Sequence, residues 1–305
     1  MSTRGSASDL SRRGRFGSLA LDSPHFNNFE VLMFIDLRIN NVAGATLEWS
    51  PSDIISYKER NNKISMRLEE YLLDGGNVLD AAKIQEKIFP KSDIDVFISH
   101  SHADENQAIG LALSLESIGL KPFVDSCTWG YADELLRKID EKFSKPEGWT
   151  SYSYELRNRT TTNVHLILNA ALQQMINESE LFVFLGTENS VRFDEHVSKH
   201  KQLSSPWIFS ELTFVKNVKR TPRKQIVMSL EHGRAFDHKE GVEFRFPLPE
   251  SSLSMDFSEF SHWLNKADSS GMRPSHKYIK GLEHLDLLYR ELGVDSKLLD
   301  VPRSA

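Results

Sequence analysis

Ile94-Asp95-Val96-Phe97-Ile98-Ser99 is a short, mostly apolar run with the length and composition of a buried strand. The segments after it decide the fold class. Ala103–Ile118 carries Ile109, Leu111, Leu113 and Leu115 along a helical span that Gly119 ends. Lys121-Pro122-Phe123-Val124-Asp125 then reads as a second strand. Farther on come a helix over Asn163–Asn177, a third strand Leu181–Gly186 (LFVFLG), a helix over Ser205–Lys219 and a fourth strand Gln225–Leu230 (QIVMSL). This alternation predicts an α/β architecture, a central parallel sheet with helices on both faces. Ligands of such sheets bind at the carboxyl ends of the strands. Ser99–Asp104, Asp125–Gly130, Gly186–Ser190 and the start of the Ser205 helix therefore share one rim.

Outward from this core the texture changes. Residues 1–25 hold Arg4, Arg12, Arg13 and Arg15 among Ser and Gly, and read as a disordered tail with no secretory signal. Residues 26–92 form an α+β extension. It has strand-like runs VLMFIDLRI and ATLEWS, then helical patterns over Ile54–Leu73 and Val78–Ile88 that Gly75-Gly76 separates. The sheet domain spans 93–232, with an insertion at 130–162. Within the polar, aromatic segment Ser126–Thr162 one amphipathic helix is expected at Asp133–Phe143. Residues 233–305 read as a C-terminal helical extension, with helices at Phe257–Leu264 and Tyr278–Leu292.

Composition narrows the class. The 305 residues are 39% hydrophobic and 26% charged, ordinary for a globular protein, and the net charge of −6 argues against a general nucleic-acid binder. No apolar run approaches the roughly 18 residues that span a bilayer. Cys127 is the single cysteine, so no internal disulfide can form, which fits a reducing cytoplasm.

Three rim segments carry candidate chemistry. In Ser205-Pro206-Trp207-Ile208-Phe209-Ser210-Glu211, Ser205 suits an N-cap and Pro206 a first turn, and Trp207 and Glu211 lie one turn apart on one face. A carboxylate beside an aromatic plane fits a ligand with an apolar ring and sugar hydroxyls. The blander alternative is a core Trp207 and a surface Glu211. Ser99-His100-Ser101-His102-Ala103-Asp104-Glu105 admits three readings. It is a loop receiving ribose or phosphate, an H-x-H-x-D metal site completed by His165, His196 or His200, or a cap made by Asp104 and Ser101 with both His outward. In Phe123-Val124-Asp125-Ser126-Cys127-Thr128-Trp129-Gly130, Asp125 and Trp129 suit a loop over a ligand; equally, Asp125 caps the next turn and Trp129 packs on the domain.

Taken together, DVFISHSHAD, the strand ending FVDS, LFVFLGTENS and SSPWIFSEL resemble a TIR (Toll/interleukin-1 receptor) domain over about Asp93 to Leu230. The last piece fits the S-x-W-x-x-x-E pattern of NAD-cleaving members, with Ser205, Trp207 and Glu211 in place. The resemblance is closest to bacterial TIR proteins of antiphage defence (Thoeris-like), with a long insertion after the second strand. It implies a flavodoxin-like fold and cleavage of the nicotinamide–ribose bond of NAD+, the substrate, with no cofactor and no metal. Glu211 would be the catalytic carboxylate. Trp207, Ser99, His100, Ser101, Asp125, Trp129 and Ser205 would surround the substrate, and Arg157 and Arg159 are candidates for the pyrophosphate. The product would be ADP-ribose, a cyclised form or a transfer adduct. TIR–TIR contacts imply a homo-oligomer, a downstream effector would sense the product, and neither nucleic acid nor membrane is an expected partner. Two other functions remain open, a non-enzymatic TIR scaffold and a metal-dependent hydrolase built on HSHAD.

Overall fold

The computed structural model describes residues 35–42, 49–61, 72–73, 78–88, 93–192, 201–218, 246–267 and 271–294. In chain order the elements are β1 (Ile35–Asn40), α1 (Pro51–Arg60), β2 (Leu72–Leu73), β3 (Val78–Leu79), α2 (Ala81–Ile88) and β4 (Val96–Ser99). A turn of 3-10 helix, His102–Asp104, leads into α3 (Glu105–Ser117). Then come β5 (Pro122–Val124), α4 (Ser126–Phe143), α5 (Tyr154–Glu178), β6 (Leu181–Gly186), β7 (Val191–Arg192), β8 (Gln202–Leu203), α6 (Pro206–Asn217), β9 (Phe246–Pro247), β10 (Leu253–Asp256), α7 (Phe257–Asn265) and α8 (Pro274–Glu291).

Five strands form one sheet in the order β10-β1-β6-β4-β5, every pair parallel. Strand alternation builds its two faces. Leu181, Val183 and Leu185 of β6, with Val96 and Ile98 of β4, join one apolar cluster with α3, α7 and α8. Phe182 and Phe184, with Phe97 of β4, join the other with α4, α5 and α6. Phe97 stacks on Phe182 at 5.6 Å between centroids and tilts against Phe123 at 5.4 Å. Both faces are thus covered by helices, as the alternation predicts. Among the described residues no helix is long and apolar enough to cross a membrane.

The chain leaves β4 for β5 on one side and returns to β6 on the other. Open α/β sheets bind ligands at the carboxyl end of the strand where such a switch occurs, and Ser99 ends that strand here.

Several boundaries differ from the sequence expectation. The expected strand Gln225–Leu230 lies outside the described residues. The neighbour of β6 is β1, paired from Ile35↔Leu181 to Asn40↔Gly186, and β10 adds the edge. Segments read as flanking extensions thus supply two of the five strands. The helix expected over Ile54–Leu73 is Pro51–Arg60, capped reciprocally by Ser50 and Asp53. Ser50 is thus a cap rather than the end of a strand. Leu72–Leu73 pairs with Val78–Leu79 in a small antiparallel ladder, where the pattern had read as helix. The polar segment after β5 is mostly helix. α4 starts at Ser126 and α5 at Tyr154, and Arg157 Nε joins them by a 3.2 Å contact with the buried Asp140. Ser, Thr and Arg spaced along a solvent face hid this helicity, since the apolar stripe of α5 begins only at Val164.

α8 lies very close to the turn after α3. A Cβ on Gly281 would stand 2.7 Å from the Ile118 carbonyl oxygen, and Gly119, at φ +98°, lies against the Lys277 backbone. At the amino end of the sheet, Tyr278 donates to Asp95 at 3.0 Å and Tyr289 to Glu180 at 3.1 Å, both carboxylates fully buried.

Candidate functional site

Glu211 stands where helix periodicity calls for an apolar side chain. Ile208, Leu212 and Val215 form the buried stripe of α6, and position 211 falls within it. The sequence places a carboxylate there and the fold buries it completely, at 0% exposure. The start of the helix is fixed as expected. Pro206 occupies the first turn, and Ser205 caps it by accepting from the Ile208 N–H at 3.3 Å. A buried carboxylate is costly unless its oxygens find partners. Ser99 Oγ donates to Glu211 Oε2 at 2.5 Å. Oε1 accepts no hydrogen bond from the described residues.

Ser99 is available because it ends β4 on the same face as Phe97, under α6. His100 comes next in the chain and is also buried. Its Nδ1 lies 2.7 Å from Asp125 Oδ1, an ion-pair distance, although neither ring nitrogen has an aligned hydrogen bond. Asp125 ends β5, and its Oδ1 accepts from the Ser126 N–H at 2.7 Å at the start of α4. The cap reading of Asp125 therefore holds, and the same side chain also faces His100. Ser126 Oγ is buried without a partner among the described residues. Ser99, His100, Asp125 and Glu211 form one buried polar cluster at the carboxyl ends of β4 and β5.

Its electrostatics derive from burial. The Glu211 carboxyl is raised well above the ordinary carboxylate value, first by loss of solvent and then by the charge of Asp125 and a hydrogen bond that the protonated carboxyl shares with it, against the opposing effect of the Ser99 hydrogen bond. For His100 burial alone favours the neutral ring, but Asp125, aided by Glu105, outweighs it and the net shift is upward. Both groups therefore bind protons more tightly folded than unfolded. Their support for the fold is complete below the unfolded values, 4.5 for the carboxyl and 6.5 for the imidazole, and is lost as pH rises through the raised folded values. Wild type is expected to lose stability relative to Glu211→Gln as pH rises above 4.5 toward the raised folded value. Urea unfolding of both proteins at several pH values checks this, and a stability difference independent of pH would contradict it.

A second polar group ties the rim together. Asp104, buried, accepts from Thr187 Oγ1 at 2.5 Å and from Asn189 Nδ2 at 2.6 Å. Ser190 Oγ donates to the Leu185 carbonyl at 2.8 Å. This sets aside one of the three readings of the segment, the helix cap. Neither Ser101 nor Asp104 makes a side-chain cap bond; Asp104 instead reaches across to the loop after β6. Thr-Glu-Asn-Ser is rich in turn-forming side chains, but only the sheet order shows which carboxylate they meet.

The remaining candidates disperse. Trp207, half-buried, sets its ring edge-on to His165 of α5 at 5.5 Å, so Trp207 and Glu211 share a helix but point to different partners. The expected loop at Ser126–Gly130 is helical, and the Trp129 side chain lies outside the described residues. Arg157 engages Asp140 and the face of Tyr152, and Arg159 is exposed. His100 is buried while His102 is exposed, so the two histidines of HSHAD diverge. His196 and His200 lie outside the described residues. Among those described, no group of three or more His, Cys, Asp or Glu is arranged to hold a metal ion.

No protein-family model, curated protein or solved structure matches the chain.

Proposed function

We propose that this chain is a TIR-type NAD+ glycohydrolase or cyclase that breaks the nicotinamide–ribose bond. The observation that carries the reading is the fully buried Glu211, bonded to Ser99 at the switch point of a parallel sheet. The order β5-β4-β6 is also that of the first three strands of a flavodoxin-like sheet. The place next to β6, where such a fold sets its fourth strand, is taken by β1.

The chemistry asks for a carboxylate in a water-poor site. As the glycosidic C–N bond breaks, nicotinamide leaves neutral with the bonding electron pair, and the ribose becomes an oxocarbenium-like cation. A fixed carboxylate close to that charge lowers the barrier without reorganising at the moment of reaction. Glu211 supplies it, with Ser99 holding one oxygen; a ribose hydroxyl would take the place of the hydrogen bond that the protonated carboxyl shares with Asp125. Without substrate the raised carboxyl keeps its proton. The positively charged pyridinium of NAD+ favours its release, so binding and ionisation are coupled. Asp125 and His100 hold the neighbouring wall of the cleft. Water adding to the ribose carbon, with loss of a proton, gives ADP-ribose; attack by the substrate's own adenine gives a cyclic product. The reading extends to a homo-oligomer in a cytoplasmic antiphage role, its product sensed by a second effector.

Incubation with NAD+, then mass spectrometry of the products, tests it. Nicotinamide together with ADP-ribose or its cyclised form is expected. Intact NAD+ from concentrated, assembled protein and from protein supplemented with phage-infected lysate would sink the reading.

A further inference from the structure

We infer that Arg38 is an anion-binding residue, holding a phosphate of the ligand whose sugar is engaged at Glu211. Its position comes from strand alternation. Ile35, Leu37 and Ile39 of β1 point into one apolar cluster, which puts Asp36, Arg38 and Asn40 on the opposite face. Register then sets a row across that face. Arg38 pairs with Phe184, and Phe184 pairs with Ser99. Two strand spacings, about 10 Å, separate the Arg38 backbone from that of Ser99, a span that the sugar and phosphates of one nucleotide bridge.

The guanidinium lies over the Phe184 ring, with Cζ 5.8 Å from the centroid. It leans toward the carboxyl end of β6. A Cβ on Gly186 would stand 2.7 Å from Arg38 Nε and 3.2 Å from Nη2. Gly186 does not have a positive φ, so its missing side chain matters here for space. Nε is closed off from solvent and has no hydrogen-bond partner among the described residues. The carboxylate two residues back on the same face, Asp36, accepts from the Ser252 N–H through Oδ2 at 2.7 Å. Burial lowers the proton affinity of Arg38, and among the described residues no carboxylate offsets that effect.

A half-buried guanidinium with no counter-charge among the described residues is unfavourable on its own. Its planar fork matches the oxygens of phosphate. Of the two sequence candidates for this role, Arg157 is engaged with Asp140 and Arg159 is exposed. The identity of the ligand rests on the proposed NAD+ reading; the anion site does not.

Calorimetric titration with inorganic pyrophosphate tests the site. Wild type and Glu211→Gln are expected to bind it within about twofold of each other. Arg38→Gln should bind it at least tenfold more weakly, an effect of the size lost with a charged hydrogen-bonding group. Gly186→Ala, which keeps the charge but crowds the guanidinium, should weaken it in the same direction if Arg38→Gln fails to fold. NAD+ and nicotinamide riboside make the second pair of probes. Arg38→Gln should lose affinity for NAD+ about tenfold or more and keep that for the phosphate-free riboside. Absence of pyrophosphate binding by wild type, unchanged binding by Arg38→Gln, or equal loss of NAD+ and riboside overturns the inference. Pyrophosphate bound through Arg38 by a wild-type protein that leaves NAD+ intact would uphold the anion site and reject the NAD+ reading.

Discussion

Glu211→Ala is expected to release nicotinamide from NAD+ about 10²–10³-fold more slowly than wild type, the effect of deleting one preorganised electrostatic stabiliser. Glu211→Gln should be nearly as slow, since the amide keeps the shape and the Ser99 contact but carries no charge. The same position makes an opposite prediction for stability. Glu211 is fully buried on the apolar stripe of α6, beside Asp125. Replacing a buried ionisable group by an apolar one of similar volume often leaves stability unchanged or improves it. Glu211→Leu should therefore match or exceed the thermal stability of wild type while losing activity. A Leu variant that is both unstable and inactive would mark Glu211 as a structural group. Initial rates of nicotinamide release and calorimetric melting of the three variants decide between these.

Trp263→Ala carries the largest expected loss of stability, about 3–5 kcal/mol for a large aromatic removed from a packed core. Trp263 is completely buried in α7. Its indole N–H donates to the His284 carbonyl at 3.0 Å, its ring stacks on the His284 imidazole at 4.8 Å, and Phe260 tilts against it at 5.0 Å. His284 Nε2 meets the Trp263 carbonyl at 2.7 Å, so the pair is locked in both directions. This contact joins α7 to α8 under the face of the sheet that holds Leu37, Val96 and Val183. If α7 and α8 were a detachable extension, Trp263→Ala would leave the main unfolding transition near its wild-type midpoint. The single core predicts instead that the whole transition shifts, read by urea denaturation.

What the sequence disclosed, and what it withheld, has physical reasons. Buried parallel strands read clearly. Leu181–Gly186 is apolar on both faces because helices cover both, and its limits match the sequence reading. The N-cap of α6 was legible because Ser-Pro at a helix start serves one local geometry. Long-range choices were not. Nothing local to Ile35–Asn40 says that it pairs with Leu181–Gly186, far along the chain. Arg38 carries no local signal within its short strand, and its lack of a carboxylate neighbour among the described residues exists only after the sheet forms. For the same reason Trp207 and Glu211, similar by spacing, separated once α5 supplied His165 to one and β4 supplied Ser99 to the other. Asp104 could be read as a cap, because the competing partners, Thr187 and Asn189, lie more than eighty residues away.

The central claim is that an ionisable, buried Glu211 drives the cleavage, and the pH dependence of nicotinamide release addresses it most directly. The kcat/KM of wild type should rise with pH through one ionisation above the ordinary carboxylate value of 4.5, because Glu211 must lose a proton that burial and Asp125 help it keep. Asp125→Asn should move that ionisation to lower pH. A Glu211→Gln protein that releases nicotinamide at the wild-type rate, with the same pH profile, would contradict the account.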